Sequence, residues 1–155
     1  MIRINYPLHD FRIKEEAGKE WIFDEFRKAW VWLSPEEWVR QNILQYLVKV
    51  KNYPVALIAV EKEIKLGELK KRFDILVYKE AKPWMIVECK EGNIALTENV
   101  LKQVLNYHIS LPTEYLIITN GTHTMGFVIK GNEMNSMEDF PEYRGQETGR
   151  SEQQQ

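Results

Sequence analysis

The sequence predicts an α/β domain in which helices flank a mixed central sheet, with the core elements in the order α-β-β-β-α-β. Three observations support this fold class. A clear helix start precedes an amphipathic segment, and short, nearly continuous apolar runs follow it, as expected of strands buried on both faces. A second amphipathic segment separates two of these runs, which suits a crossover helix between parallel strands.

The first helix is predicted at residues 35 to about 51. Ser34 can cap it, the following proline is tolerated at the first helical position, and Glu36 and Glu37 suit the positive end of the helix dipole. The aromatic segment before it, residues 21–33, has an ambiguous period and is expected to be extended near its end.

The remaining elements are bounded by charged residues or by proline and glycine. They are predicted to be three strands, a helix and two further strands, at residues 55–64, 72–78, 84–89, 95–110, 115–119 and 125–129. The chain becomes polar from residue 135 onwards. We therefore predict one domain over residues 1–134 and a flexible polar tail over residues 135–155.

Composition restricts the class of protein. The 155 residues suffice for one domain with a sizeable core, and 44% hydrophobic with 28% charged residues is a globular composition. The net charge of −2 counts against a protein coated in nucleic acid, although it is compatible with a local basic groove. The one cysteine, Cys89, excludes an internal disulfide and favours a reducing compartment. Since neither a signal peptide nor a membrane-length apolar run is evident, we expect a cytoplasmic protein with no membrane partner.

Charged residues interrupt two of the apolar runs. Asp74 lies inside one run, and Glu88 and Lys90 lie at the end of the next. Because alternate residues of a strand share a face, Glu88 and Lys90 should project together, with Cys89 on the opposite face. Asp74 would reach the same place if the two strands are neighbours. Carboxylates bind Mg²⁺ and a lysine can neutralise a phosphate, so this combination suits phosphodiester hydrolysis; the alternative is a set of ordinary ion pairs.

Several motifs, in order along the chain, resemble those of the PD-(D/E)XK nuclease superfamily. The more specific likeness is to the N-terminal domain of type I restriction enzyme R subunits and to small stand-alone bacterial proteins with that domain. The motifs are an acidic first helix, an R-x-D strand, a strand ending in E-x-K, the Q-x-x-x-Y helix of the RecB-like branch and a T-N-G strand end, at residues 35–41, 72–77, 84–90, 103–107 and 119–121. The likeness covers roughly residues 30–130. Phe73 replaces the proline of the superfamily name.

The resemblance implies a restriction-endonuclease-like core and a nuclease that uses Mg²⁺, with Mn²⁺ as a substitute, on DNA. It implies that Asp74 and Glu88 are metal ligands and that Lys90 is the catalytic lysine. It further implies that Gln103 lies near the site, as a catalytic residue. Tyr107, one helical turn later, would pack there or contact the nucleic-acid backbone.

The resemblance also implies an acidic metal ligand on the first helix. At about 100° per residue, Glu36 lies in phase with Arg40 and Leu47, towards the centre of the apolar face. Glu37 lies in phase with Leu44, nearer the edge of that face. We therefore favour Glu36 as the ligand and keep Glu37 as the alternative, while both acids could simply stabilise the helix N-terminus.

Charged residues around the second predicted strand have two interpretations each. Lys70, Lys71 and Arg72 surround a predicted hairpin turn and are the best candidates for phosphate contact, although an ordinary exposed turn explains them equally well. Glu61 and Glu63 share one strand face, where they either line the groove or are solvated.

Three functions fit these observations. The first is a metal-dependent DNA endonuclease linked to restriction, defence or repair, acting as a homodimer or in a larger restriction-type assembly. The second is a non-catalytic nucleic-acid-binding or assembly module with a nuclease-like fold. The third is a structural domain whose charges form ordinary ion pairs. The presence of both acids and the lysine favours the first.

Overall fold

The computed structural model describes residues 1–144, apart from the side chain of Tyr107. A short turn of 3₁₀-helix, Val55–Leu57, precedes the fourth strand. The helices and strands are, in chain order, β1 Ile13–Glu16, β2 Lys19–Asp24, β3 Ala29–Trp32, α1 Pro35–Lys49, β4 Ile58–Leu66, β5 Leu69–Lys79, β6 Lys82–Cys89, α2 Glu98–Ser110, β7 Tyr115–Thr119, β8 Thr124–Lys130 and β9 Glu133–Met137. The predicted α/β class is confirmed.

Six strands form the main sheet, in the order β4-β5-β6-β7-β8-β9. The pair β6–β7 is parallel, and the other neighbouring pairs are antiparallel. Parallel neighbours need a crossover connection, and α2 lies in the connection between β6 and β7. The predicted mixed sheet with a crossover helix is therefore confirmed.

The two helices cover opposite faces of this sheet. On one face, α1 packs against alternate residues of the central strands in a core that includes Ile43, Leu47, Ile75, Val77, Met85 and Val87. On the other face, Val104 of α2 packs with Phe73, Leu76, Ile86, Leu116 and Ile118. Because successive strand residues point to opposite faces, β5 and β6 are buried on both sides, which explains their nearly continuous apolar runs.

The two helices begin at capping residues. Ser34 Oγ accepts a hydrogen bond from the Glu37 N–H at 3.0 Å, and α1 starts at the following proline, as predicted. α2 starts later than predicted, at Glu98, because Thr97 caps it by accepting from the Val100 N–H at 3.4 Å. Neither of the helices described within residues 1–144 is long and apolar enough to cross a membrane.

The N-terminal residues form a separate three-stranded sheet in the order β1-β2-β3. The expected extended conformation at the end of residues 21–33 corresponds to β3, and β2 makes the start of that segment extended as well. Between these strands, Asp24 Oδ1 accepts hydrogen bonds from the N–H groups of Phe26 and Arg27 at 2.7 and 3.1 Å. This turn interrupts the alternation of side chains, which explains why the period of the segment was ambiguous in the sequence.

Ordered structure continues beyond the predicted domain end at residue 134. β9 extends to Met137, and Phe140 is 3% exposed within the core on the α1 face. β9 is an edge strand with mostly exposed side chains, so its polar sequence resembled that of a tail. Tyr143 also packs against this core, and its hydroxyl donates to Tyr78 O at 3.0 Å. Residues 145–155 of the predicted tail lie outside the described residues.

Candidate active site

Strand pairing brings Asp74 and Glu88 together. Ile75 pairs with Val87 across β5 and β6, and each acid lies one residue beyond this pair, at the same end of the ladder. Asp74 Oδ2 accepts a hydrogen bond from the Cys89 backbone N–H at 2.8 Å. The two acids that interrupt separate apolar runs in the sequence therefore meet at one point of the sheet.

Glu88 has a strongly perturbed pKa. Its Oε1 atom is buried and has no hydrogen-bond partner among residues 1–144. Burial first, and then the Asp74 carboxylate, raise the pKa of Glu88 to about 10, while Lys90 acts in the opposite direction. The Glu88 carboxyl therefore keeps its proton at neutral pH unless a cation joins the pair.

Lys90 directly follows the end of β6. Its backbone N–H donates to Thr119 O at 2.8 Å, which holds the main chain against β7. Its ammonium group acts to lower the pKa of both Glu36 and Glu88, so it lies within electrostatic range of both. Cys89 is 1% exposed and packs in the core on the α1 face.

Arg40 of α1 lies among the acidic side chains. Its Nη2 atom lies 2.8 Å from Asp74 Oδ1 and 2.7 Å from Glu61 Oε1. Its Nη1 atom lies 2.5 Å from Glu37 Oε1. Burial alone would lower the pKa of Arg40, but the Asp74 and Glu37 carboxylates raise it, with a net rise. The guanidinium therefore stays charged although the side chain is only 3% exposed.

Arg40 is a site residue that was not predicted from the sequence. The available signal was its phase with Ile43 and Leu47 on the apolar face of α1, where a charged side chain is costly without partners. Its partner Asp74 lies 34 residues away in the chain. The pair forms only when α1 packs over β5, so the sequence alone does not reveal it.

The two acids at the start of α1 occupy different environments. Glu37 is buried, with its side chain 6% exposed, and Arg27 donates to it at 2.8 Å from the N-terminal sheet. Glu36 is 46% exposed, and its Oε2 atom lies 3.5 Å from Arg40 Nη2. The buried acid of α1 is therefore Glu37 and not the predicted Glu36, because the N-terminal sheet covers the side of α1 that carries Glu37. Glu36 nevertheless faces the site, since burial and then Asp74 raise its pKa.

Glu61 joins the site from β4. The β4–β5 ladder lacks a pair at this residue, opposite Asp74, and Glu61 has a φ of +55°. Such a conformation costs a non-glycine residue about 1–3 kcal/mol. The Glu61 carboxylate binds Arg40 at 2.7 Å and lies 3.6 Å from Arg72. Of the two interpretations offered for these acids, Glu61 lines the site, whereas Glu63 is 49% exposed.

The predicted basic cluster lies on the hairpin formed by β4 and β5. Lys70 is exposed and lies directly opposite Lys65 in the ladder, and Lys71 is half-buried. Arg72 is 64% exposed and lies 3.6 and 3.9 Å from two carboxylates of β4. The hairpin therefore presents cations to solvent on the strand that carries Asp74.

Gln103, on α2, is exposed, and its predicted place beside Lys90 stays a prediction. α2 packs on the sheet through Val104. The side chain of Tyr107 lies outside the described residues.

The T-N-G motif builds the turn after β7. Asn120 Oδ1 accepts from the backbone N–H groups two and three residues further on, at 3.0 and 2.7 Å. Asn120 Nδ2 donates to Ile94 O at 2.8 Å. Asn120 therefore ties this turn to the loop that follows Lys90, and its contribution to the site is positional.

Within residues 1–144, no group of three or more histidine, cysteine, aspartate or glutamate side chains is arranged to hold a metal ion. The implied set of Glu36, Asp74 and Glu88 is not gathered around one point, because Arg40 lies between Glu36 and Asp74. Asp74 and Glu88 remain adjacent as a pair.

The raised pKa of Glu88 predicts a pH-dependent penalty on stability. The folded protein holds a proton that the unfolded chain releases above its ordinary pKa of 4.5, so stability falls as pH rises from about 4.5 towards about 10. Glu88→Gln removes this titration. Without divalent ions at pH 8, we expect its Tm to exceed that of the wild type by at least about 2–4 °C, the shift that 1 kcal/mol produces at this size.

Thermal unfolding measured from pH 4 to pH 9 tests this prediction. The difference in Tm should be small at pH 4 and grow with pH, while Glu63→Gln, at an exposed carboxylate of β4, should follow the wild-type curve. A pH-independent difference would mean that Glu88 ionises normally in the folded protein.

Comparison with known proteins identifies the family of this chain. The family model described as type I restriction enzyme R protein N terminus matches residues 35–141, from the start of α1 to just beyond Phe140. Searches of curated proteins and of solved structures give no significant match. The family match spans well over half of the chain, so the protein belongs to the type I restriction enzyme R protein N-terminus family.

Proposed function

We propose that the chain is a PD-(D/E)XK-type nuclease that hydrolyses phosphodiester bonds of DNA with Mg²⁺, and that Asp74, Glu88 and Lys90 form its active site. The observation that supports this most strongly is the buried, unpartnered Glu88 Oε1 atom beside Asp74. A buried carboxylate oxygen without a donor is costly unless a ligand binds to it. Membership of a family named after a restriction enzyme supports a restriction-related role.

The donor set fits Mg²⁺, which takes oxygen ligands, keeps several waters and uses one or two protein carboxylates. Asp74 and Glu88 would hold the ion, with Mn²⁺ as a substitute and Glu36 nearby on α1. A cation at this pair would also favour the ionised form of Glu88, whose pKa is about 10 without one. When bound, such an ion lowers the pKa of a bound water and stabilises charge on a phosphoryl oxygen.

The surrounding groups of the chain orient Asp74 and neutralise the phosphate. Arg40 and the Cys89 N–H each hold one oxygen of Asp74 at 2.8 Å, which fixes the plane of its carboxylate. Each of those oxygens has a second lone pair for a further ligand. The Lys90 ammonium neutralises the charge that develops on the phosphoryl oxygens.

The basic hairpin is the part of the molecule best suited to contact the DNA backbone. Lys65 and Lys70 lie directly opposite each other, and like charges in that arrangement repel. An anion between them would relieve the repulsion. We therefore propose that these lysines, with Lys71 and Arg72, bind phosphates and hold the duplex against the strand that carries Asp74.

A non-catalytic nucleic-acid-binding or assembly module is the second candidate. Arg40 favours it, because this side chain already neutralises Asp74 without a metal ion. Cutting both strands of a duplex needs two sites, so in the catalytic case we propose a homodimer or a larger restriction-type assembly.

Incubation of the purified chain with supercoiled plasmid separates the two candidates. With Mg²⁺ or Mn²⁺ we expect nicked or linear DNA, and with EDTA none. Glu88→Gln, which should fold at least as stably as the wild type, should not cleave, whereas the exposed control Glu63→Gln should cleave normally. A wild-type chain that shifts DNA in a gel but cleaves none with either ion would support the non-catalytic candidate.

A further inference from the structure

Four aromatic side chains lie on one face of the N-terminal sheet. In β2 and β3, Trp21 pairs with Trp32 and Phe23 pairs with Trp30. Alternation along each strand places these four on the same face. Ile22, which points to the opposite face, is completely buried. The rest of the protein therefore covers one face of this sheet, and the aromatic side chains lie on the other.

Cations lie over these rings. The Arg12 guanidinium carbon lies 4.6 Å from the centre of the Phe23 ring and 5.4 Å from that of Trp30. The Lys14 ammonium lies 4.5 Å from the Trp30 ring. At these distances each cation interacts with the ring face.

The other end of this face also combines an aromatic ring with a cation. Lys19 lies 5.4 Å from the Trp32 ring, and Trp32 is 54% exposed. Glu16 also lies here and pairs with Lys14 at 3.0 Å. We call the set the aromatic face, and its residues are Arg12, Lys14, Lys19, Trp21, Phe23, Trp30 and Trp32.

The four aromatic side chains form one contiguous patch, in which Trp32 is exposed and Trp21, Phe23 and Trp30 are half-buried. A contiguous apolar patch at the surface marks an interaction site. The aromatic face lies wholly before residue 35, where the family match begins, so family membership assigns it no role. Its combination of flat rings and interleaved cations matches a ligand that carries both π-faces and repeated negative charge.

We propose that the aromatic face binds single-stranded nucleic acid. Bases stack on the exposed Trp32 ring and on the guanidinium plane of Arg12, which is itself exposed over the half-buried Phe23 and Trp30 rings, and phosphates contact Lys14 and Lys19. A duplex keeps its base faces stacked inside the helix and offers these rings nothing to stack on. An acidic peptide would satisfy the cations but not the rings. This binding requires neither the metal ion nor Asp74 and Glu88.

Fluorescence anisotropy with labelled single-stranded oligothymidylate, in EDTA to prevent cleavage, tests the proposal. The wild type should bind the single strand, and a duplex of equal length measures the separate contribution of the basic hairpin. Trp32→Ala should weaken binding about 5- to 150-fold, the loss expected for one base–aromatic stack. Trp38→Ala, at a 43% exposed tryptophan on α1, should bind as the wild type does.

A charge-reversal variant with its own control tests the proposal even if Trp32→Ala fails to fold. Lys14→Glu combined with Lys19→Glu should weaken binding and reduce its salt dependence, whereas Lys130→Glu, at an exposed lysine ending β8, should not. An oligouridylate arm then distinguishes DNA from RNA as the source of the strand. Wild-type binding of the single strand by both face variants would overturn the proposal. Plasmid cleavage with Mg²⁺ is a separate readout, so loss of one activity leaves the other to be judged by itself.

Discussion

Replacing Lys90 with alanine is expected to reduce DNA cleavage by about 10²- to 10⁴-fold, the usual loss when a group that handles transition-state charge or protons is removed. The effect should fall on kcat, because Lys90 acts on charge that develops during the reaction. The backbone bond from Lys90 N–H to Thr119 O does not involve the side chain, so the variant should keep the end of β6 in place. Single-turnover cleavage of a labelled duplex with saturating Mn²⁺ measures the loss.

Lys82→Ala provides the matched control. Lys82 is an exposed lysine at the opposite end of β6, so its removal changes the net charge equally without touching the acids. We expect this variant to cleave at the wild-type rate and both variants to bind DNA with similar affinity. A Lys90→Ala variant as fast as Lys82→Ala would contradict the assignment of Lys90.

The proximity of Asp74 and Glu88 was predicted on the condition that their two strands are neighbours. Nearly continuous apolar runs identified β5 and β6, and the antiparallel pairing of these strands meets the condition. The period of two along a strand does not by itself fix the faces of β5, since Phe73 and Ile75 pack on opposite sides of the sheet.

The part of the site that the sequence did not predict depends on packing between distant elements. Helix phase suggested that Glu36 points inward, but Glu37 is the buried acid. Arg27, between β2 and β3 of the N-terminal sheet, donates to Glu37. The role of Arg40 depends on the docking of α1 over β5. Gln103 is exposed, and its role in the site, which the motif implies, stays a prediction.

β1, β2 and β9 were not predicted, for a different reason. These strands are short, and each has at least one solvated face, so their side chains carry little hydrophobic alternation. Main-chain pairing with a neighbouring strand stabilises such strands, and that pairing leaves no trace in the local sequence.

Replacing Arg40 with methionine is expected to destabilise the fold by about 3–5 kcal/mol, the loss typical when one partner of a buried ion pair is removed. The contacts at 2.8 Å with Asp74, 2.7 Å with Glu61 and 2.5 Å with Glu37 all disappear together. Methionine nearly preserves the volume of the side chain, so the loss should come from the uncompensated carboxylates. Urea unfolding at pH 7 in EDTA measures it.

Arg72→Met is the matched control, because Arg72 also pairs with Glu61, at 3.6 Å, but is 64% exposed. A surface pair of this kind contributes about 0–1 kcal/mol, so the control should unfold close to the wild-type urea concentration. Acidification should reduce the difference in the free energy of unfolding between Arg40→Met and the wild type. Protonation of the carboxylates that have lost Arg40 removes their mutual repulsion. Equal losses in the two variants at pH 7 would show that the buried guanidinium has no special part in the fold.

Unfolding of Arg40→Met in the presence of Mg²⁺ tests the proposed metal site. If Asp74 and Glu88 hold Mg²⁺, the ion should recover part of the stability lost in Arg40→Met, because it supplies positive charge beside carboxylates that have lost their guanidinium. The wild type should gain less, since Arg40 already neutralises Asp74 there. A chain without a metal site would show the same small response to Mg²⁺ in both proteins. Arg40 and the proposed Mg²⁺ are then two cations that neutralise neighbouring carboxylates. Arg40 stabilises the fold, and the ion supplies the positive charge that the reaction needs.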